Sequence, residues 1–115
     1  MRGTLEDQRL DAVFTALSDP TRRDIVARLS AGEATVKELA EPYAMSMQAV
    51  SQHIRVLERS GLISQGRHRQ TRPCRLEPAT LEAALSWIEE SRRTWSERMD
   101  RLETHLALLQ ERDNR

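Results

Sequence analysis

A single edge of apolar side chains runs through the stretch from Ser46 to Ile63. Val50, Ile54 and Leu57 recur at helical spacing, and every other position between Ser46 and Arg55 except Met47 and Ala49 carries a hydrogen-bonding side chain. Such a segment can only fold as a helix that is buried along one edge and open along the other. Ser46 is suited to cap its first turn, and Gly61 to stop it, since glycine tolerates the positive φ that follows a last turn. Ser46, Gln48, Ser51, Gln52, His53 and Arg55 lie off the apolar edge and hold donors and acceptors that can meet base edges and phosphates.

The charge distribution agrees with this reading although the formal net charge is zero. Residues 46–75 hold Arg55, Arg59, Arg67, Arg69, Arg72 and Arg75 against one acid, Glu58, a local balance of +5. Residues 1–45 carry six basic and eight acidic groups, and residues 76–115 six and nine. Because charges are screened beyond about 8 Å in physiological salt, a polyanion senses the nearest surface rather than the total.

The chain divides at local signals. Leu10, Val13, Phe14 and Leu17 mark a first helix over 5–18, and Asp19-Pro20 opens a second, with a capping acid before a first-turn proline. Thr35 and Glu38 fit a capping box that begins a short helix reaching about Glu41. Pro42 and the residues after it turn the chain into helix 47–60, which makes a helix-turn-helix. Residues 62–67 and 71–77 read as two short strands around the basic tip His68-Arg69-Gln70, a wing whose arginines can reach the adjacent DNA backbone. The DNA-binding core and wing thus span 19–77 of a single domain, 1–115. From Pro78 to about residue 110 a long helix carries Leu81, Leu85, Ile88, Trp95, Met99, Leu102, Leu106 and Leu109 in alternating steps of four and three, except between Ile88 and Trp95, where Arg92 interrupts the stripe. Some 32 residues make a rod of about 45–50 Å, too long a stripe for so small a domain to cover. The expected fold is therefore mainly α with a small β-hairpin, a winged helix-turn-helix. Its first and last helices form a homodimer interface through Leu10, Phe14, Trp95, Met99, Leu102, Leu106 and Leu109.

Other function classes fit poorly. No Gly-rich phosphate loop or catalytic Cys/His spacing is present, and His53, His68 and His105 fall on three different elements, so no enzyme is expected. A winged-helix module that docks protein or RNA is the alternative. It would show exposed apolar anchors, and only Met45 and Met47 lie near the polar face. The polar N-terminus, the lone cysteine and the lack of an 18-residue apolar run fit a cytoplasmic protein. Cys74, on the second wing strand, alternates with Leu76 and reads as a small buried hydrophobe.

Residues 16–29, with Asp-Pro-Thr-Arg-Arg at their centre, Val36–Ala40, the run Ala49–Leu57 and Gly61–Ile63 together resemble the ArsR family of bacterial winged-helix regulators, over about residues 12–77. The resemblance implies a homodimeric transcriptional repressor that binds an imperfect palindrome in a promoter, nucleoid-associated when on DNA. It places the recognition helix on Ser46, Met47, Gln48, Ser51, Gln52, His53 and Arg55, with Gln48, Gln52 and His53 toward base edges and Ser46, Ser51 and Arg55 toward phosphates. Wing residues Arg67 and Arg69 add affinity without sequence preference. Arg22 and Arg23 are candidates either for phosphate or for nearby acids. The metal ligands of many members are missing: the helix at Val36–Tyr43 has no cysteine, and the last helix has one histidine, His105, near Asp100 and Glu103. Neither a metal nor any other cofactor is expected. The tail around Trp87, Ile88, Trp95 and Met99 resembles a metal-independent branch, where Trp87 and Trp95 could line a pocket for an unidentified small-molecule effector.

Overall fold

The structure, a computed structural model, describes residues 4–66 and 72–114. The elements run α1 (Leu5–Ala16), α2 (Pro20–Leu29), β1 (Ala34–Thr35), α3 (Val36–Ala40), α4 (Met47–Arg59), β2 (Ile63–Gln65), β3 (Pro73–Leu76) and α5 (Pro78–Asp113). Met1–Glu82 and Ala83–Arg115 form two compact units, and α5 begins in the first and makes up the second.

Each helix of the first unit starts where its cap dictates. Thr4 accepts from the Asp7 N–H, and Asp19 accepts from the Arg22 N–H at 3.0 Å with Pro20 in the first turn. At α3 the capping box closes in both directions: Glu38 N–H donates to the Thr35 hydroxyl, and Thr35 N–H donates to the Glu38 carboxylate. Ser46 accepts from Ala49 N–H at the head of α4. At the other end of α4, Gly61 has φ +84°. Its N–H reaches Glu58 C=O, while Leu62 N–H reaches Leu57 C=O, the paired bonds of a Schellman turn. A side chain at Gly61 would be strained by that φ, although its Cβ would meet Thr80 at ordinary contact distance.

The sheet has three strands in the order β1-β3-β2, all antiparallel. The hairpin expected from sequence is present as Ile63–Gln65 against Pro73–Leu76, shorter than 62–67 and 71–77. The third strand, Ala34–Thr35, was not expected. It pairs Ala34 with Cys74 and Thr35 with Pro73, so the wing is tied to the residues that open α3.

The core is aliphatic, as a chain with 3% aromatic residues requires. Ile25, Leu39, Val50, Ile54, Leu57, Leu62, Ile63 and Cys74 are fully buried. α4 sits at its centre and packs against α1, α2, α3 and β2. Burying each Val, Leu or Ile contributes about 1.5–3 kcal/mol, and the edge of α4 supplies three of these eight side chains. One guanidinium then ties α2 to α3 and to the turn after it. Arg28 of α2 donates to Leu39 C=O at 2.8 Å and Glu38 C=O at 3.1 Å, and its charge lies 5.5 Å from the Tyr43 ring centre. The Tyr43 hydroxyl donates to Asp24. Burial, and then this bond, push the Tyr43 pKa up. The turn between α3 and α4 is thereby fastened to α2.

In the second unit α5 presents Leu85, Trp87, Ile88, Trp95, Met99, Leu102, Leu106, Leu108 and Leu109 at its surface, with Trp95 64% exposed. The helix runs 36 residues, three beyond the expected end, and spans about 54 Å. Among the described residues no helix is long and apolar enough to cross a membrane.

Two outcomes follow from the caps and the core. The Arg22 N–H bond to Asp19, opposed by partial burial and assisted by the nearby His53 and Arg22 side chains, holds the Asp19 carboxyl below the usual carboxylate range. A depressed folded-state pKa gives stability that is complete above the unfolded value of about 3.9 and is lost as pH falls through the folded value. Asp19→Asn keeps a capping oxygen but cannot titrate. The Tm advantage of Asp19 over Asn should hold from neutrality to about pH 5 and shrink below about pH 4, and parallel melting curves down to about pH 2 would contradict it. Cys74 is fully buried, and burial, with Glu58 adding to it, pushes its thiol up to about 11. An aromatic disulfide reagent should therefore label Cys74 only as fast as the protein unfolds, and rapid labelling of the native protein would contradict this placement.

Candidate nucleic-acid interface

With Val50, Ile54 and Leu57 fully buried, the opposite side of α4 has to face solvent. Ser46, Met47, Gln48, Gln52 and Arg55 are exposed there, and Ser51 and His53 are half-buried at the margins of that face. Arg55 Nη1 lies 3.4 Å from Gln52 Oε1, a loose bond on an exposed surface that a ligand could replace. Ser46 Oγ already accepts from the backbone as the helix cap, so it has its hydroxyl proton left to offer.

His53 differs from its neighbours. Its Nδ1 lies 3.2 Å from Arg22 Nη1 and 3.8 Å from Asp19 Oδ2, so the start of α2 holds one side of its ring. Of the partners expected for Arg22 and Arg23, phosphate or nearby acids, neither takes an acid: among the described residues their guanidiniums bond backbone carbonyls. Arg22 Nε donates to Ala16 C=O at 2.7 Å and Nη2 to Thr15 C=O at 3.1 Å, while Arg23 Nη1 donates to Leu17 C=O at 2.8 Å. Both guanidiniums donate to carbonyls at and just after the end of α1, of which Thr15 C=O also accepts from Ser18, and neither makes an ion pair among the described residues. Three residues separate α1 from α2, which leaves the first turn of α2 within reach of the last turn of α1.

In the basic stretch, Arg55, Arg59 and Arg72 are exposed. Arg75 is engaged, with Nε 3.5 Å from Glu77 and donating to Ser64 Oγ at 3.3 Å. Arg67 and Arg69, expected at the wing tip, lie outside the described residues.

The expected dimer residues fall on surfaces of the two units. On α1, Leu10 is half-buried and Phe14 is 36% exposed. On α5, Trp95, Met99, Leu102, Leu106 and Leu109 are exposed along one helix. Trp87 and Trp95 flank a shallow groove that also holds Glu90, Ser91, Thr94 and Arg98. Its openness and mixed polarity are unlike the enclosed apolar cavities that bury most of a small ligand. No three His, Cys, Asp or Glu side chains converge as metal ligands among the described residues.

Comparison with known proteins places this geometry. Residues 17–65, from the end of α1 through β2, match the helix-turn-helix domain family. The transcriptional repressor SdpR of Bacillus subtilis (strain 168) is 33% identical over 79 residues, 69% of this chain and 88% of SdpR. The HTH-type transcriptional regulator Rv2034 of Mycobacterium tuberculosis is 41% identical over 73 residues, 64% of this chain and 68% of that protein. A crystal structure of an ArsR family transcriptional regulator is 39% identical, superposes with a TM-score of 0.73, and covers 77% of this chain and 92% of that one. A buried-edge helix presenting a polar face, three helices behind it and a strand hairpin beside it complete the match: the chain belongs to the ArsR family of winged helix-turn-helix, DNA-binding transcriptional regulators.

Proposed function

We propose that the protein is a homodimeric repressor that binds a palindromic promoter operator through α4. The observation that carries this reading is the division of α4: its apolar edge is fully buried while Gln48, Gln52 and Arg55 stand exposed on the other side. Gln48 and Gln52 are assigned to base edges, where a glutamine amide can pair with adenine through two hydrogen bonds worth about 1–3 kcal/mol of discrimination. His53 joins them at the margin. Ser46, Met47, Ser51 and Arg55 line the approach, with Ser46, Ser51 and Arg55 toward phosphates. Arg67 and Arg69 are assigned to the DNA backbone beside the wing, where each neutralised phosphate strengthens binding of any sequence and steepens its salt dependence.

The apolar stripe of α5 supports the dimer. A surface bearing Trp95, Met99, Leu102, Leu106 and Leu109 along one helix exceeds what a monomer ordinarily leaves in water. A second copy offers the same stripe, and Leu10 and Phe14 of α1 add to the seam in this reading. A two-fold dimer would carry its two α4 helices into successive major grooves, about 34–36 Å apart. Repression follows from occupying a promoter, and the cytoplasm is the compartment in which such a protein meets DNA.

Two measurements test these assignments. A Gln52→Ala, His53→Ala variant should keep the wild-type circular dichroism and lose at least about ten-fold in preference for the promoter DNA upstream of its own gene over unrelated DNA in gel shifts. Unchanged preference would remove α4 as the reader. Leu102→Glu with Leu106→Glu should sediment as a monomer and lose operator affinity, and a persistent dimer would exclude the α5 seam.

A further inference from the structure

We propose that Arg22 is a positioning residue that fixes His53 as a hydrogen-bond donor, through Nε2, to a base-edge acceptor. The proposal rests on the reading of α4 as the DNA-contacting helix. All three nitrogens of the Arg22 guanidinium have partners: Nε on Ala16 C=O at 2.7 Å, Nη2 on Thr15 C=O at 3.1 Å, and Nη1 3.2 Å from His53 Nδ1. The two carbonyls at the end of α1 fix the plane of the fork. A guanidinium only donates, so Nδ1 accepts, and the neutral ring carries its proton on Nε2. The opposite tautomer would set N–H against N–H. Its only acceptor would be Asp19 Oδ2 at 3.8 Å, beyond hydrogen-bond reach, on a carboxylate already taken by the Arg22 backbone N–H.

The other side of the ring is open. His53 has no hydrogen bond at Nε2 among the described residues, and no buried side-chain nitrogen or oxygen there lacks a partner, so Nε2 reaches solvent. The side chain is 21% exposed, on the helix that carries Gln52. Locked in this form, His53 offers the groove a donor and no acceptor. It matches guanine O6 or N7, adenine N7 or thymine O4, and rejects a position that presents only the amino group of cytosine. Arg22 touches no DNA in this arrangement. It acts through His53, and the end of α1 acts through Arg22.

The test uses the full chain and a duplex that the wild-type protein selects from a randomised pool, with a scrambled duplex as control. Ring nitrogen NMR of the free wild-type protein at about pH 8, above the ordinary titration of histidine, should show Nδ1 wholly unprotonated and Nε2 protonated. Arg22→Lys keeps the charge but lacks the fork that serves two carbonyls and a ring nitrogen together. It should show averaged tautomers and lose about ten-fold in preference for the selected duplex, the scale of one base-edge hydrogen bond, with affinity for the scrambled duplex unchanged. His53→Gln, whose amide nitrogen can reach the Nε2 position, should keep the preference within about three-fold, and His53→Asn, which ends at the Nδ1 position, should lose it as Arg22→Lys does. These two variants decide the matter if Arg22→Lys does not fold. A proton on Nδ1 in the wild type, full preference in folded Arg22→Lys, or equal loss on both duplexes overturns the proposal. If the wild type selects no sequence, the DNA reading of α4 falls and the role falls with it, and the ring spectra of the free protein show separately whether the Arg22 geometry holds.

Discussion

Burial of one edge of α4 is the constraint on which the rest of the DNA-binding unit depends. Val50, Ile54 and Leu57 are each almost completely removed from water, and α1, α2, α3 and β2 all pack against the helix that carries them. Because these side chains share an edge, their burial fixes the rotation of α4 about its own axis, and so decides which residues face out. Changing that rotation by one residue, about 100°, would bring polar side chains into the core at a cost of several kcal/mol each without partners. The direction of the polar face is therefore set by the core, with Arg22 adding a hold on His53.

Arginine does two kinds of work in this fold. Arg22, Arg23 and Arg28 direct their guanidiniums at backbone carbonyls near the ends of α1 and α3 and in the segment after α1, where a planar fork with several donors can serve more than one carbonyl. They tie three helices together without forming ion pairs among the described residues. Arg55, Arg59 and Arg72 remain exposed, on or beside α4 and the hairpin. The sequence clusters its arginines around positions 46–75, and the structure further separates those that hold the fold from those that a polyanion can reach.

The helices were legible because each carries its own signals. Asp19-Pro20, the Thr35/Glu38 box, Ser46 and Gly61 are local, and the structure uses all of them as read. Strand β1 was not legible, since two residues have no periodicity and their pairing with Pro73 and Cys74 is made across nearly forty positions of chain. The roles of Arg22 and Arg23 were hidden for a related reason. A pair of arginines at a helix start looks like a phosphate site until the end of the preceding helix is seen above it. His53 fell on the polar side of α4 by spacing alone, and only the fold shows that its Nδ1 is held by α2 while its Nε2 is open. The alternating apolar positions of α5 were readable as a stripe, and they stand exposed in the single chain.

The most direct measurement is guanine N7 methylation interference along a duplex that the wild-type protein selects. Two copies of α4 in successive major grooves predict two clusters of interfering guanines, centred about 10–10.5 base pairs apart or at a multiple of that spacing, and related by two-fold symmetry. A single cluster, or no interference at guanine N7 anywhere in the selected duplex, would contradict the central claim that a paired, one-sided α4 reads the DNA.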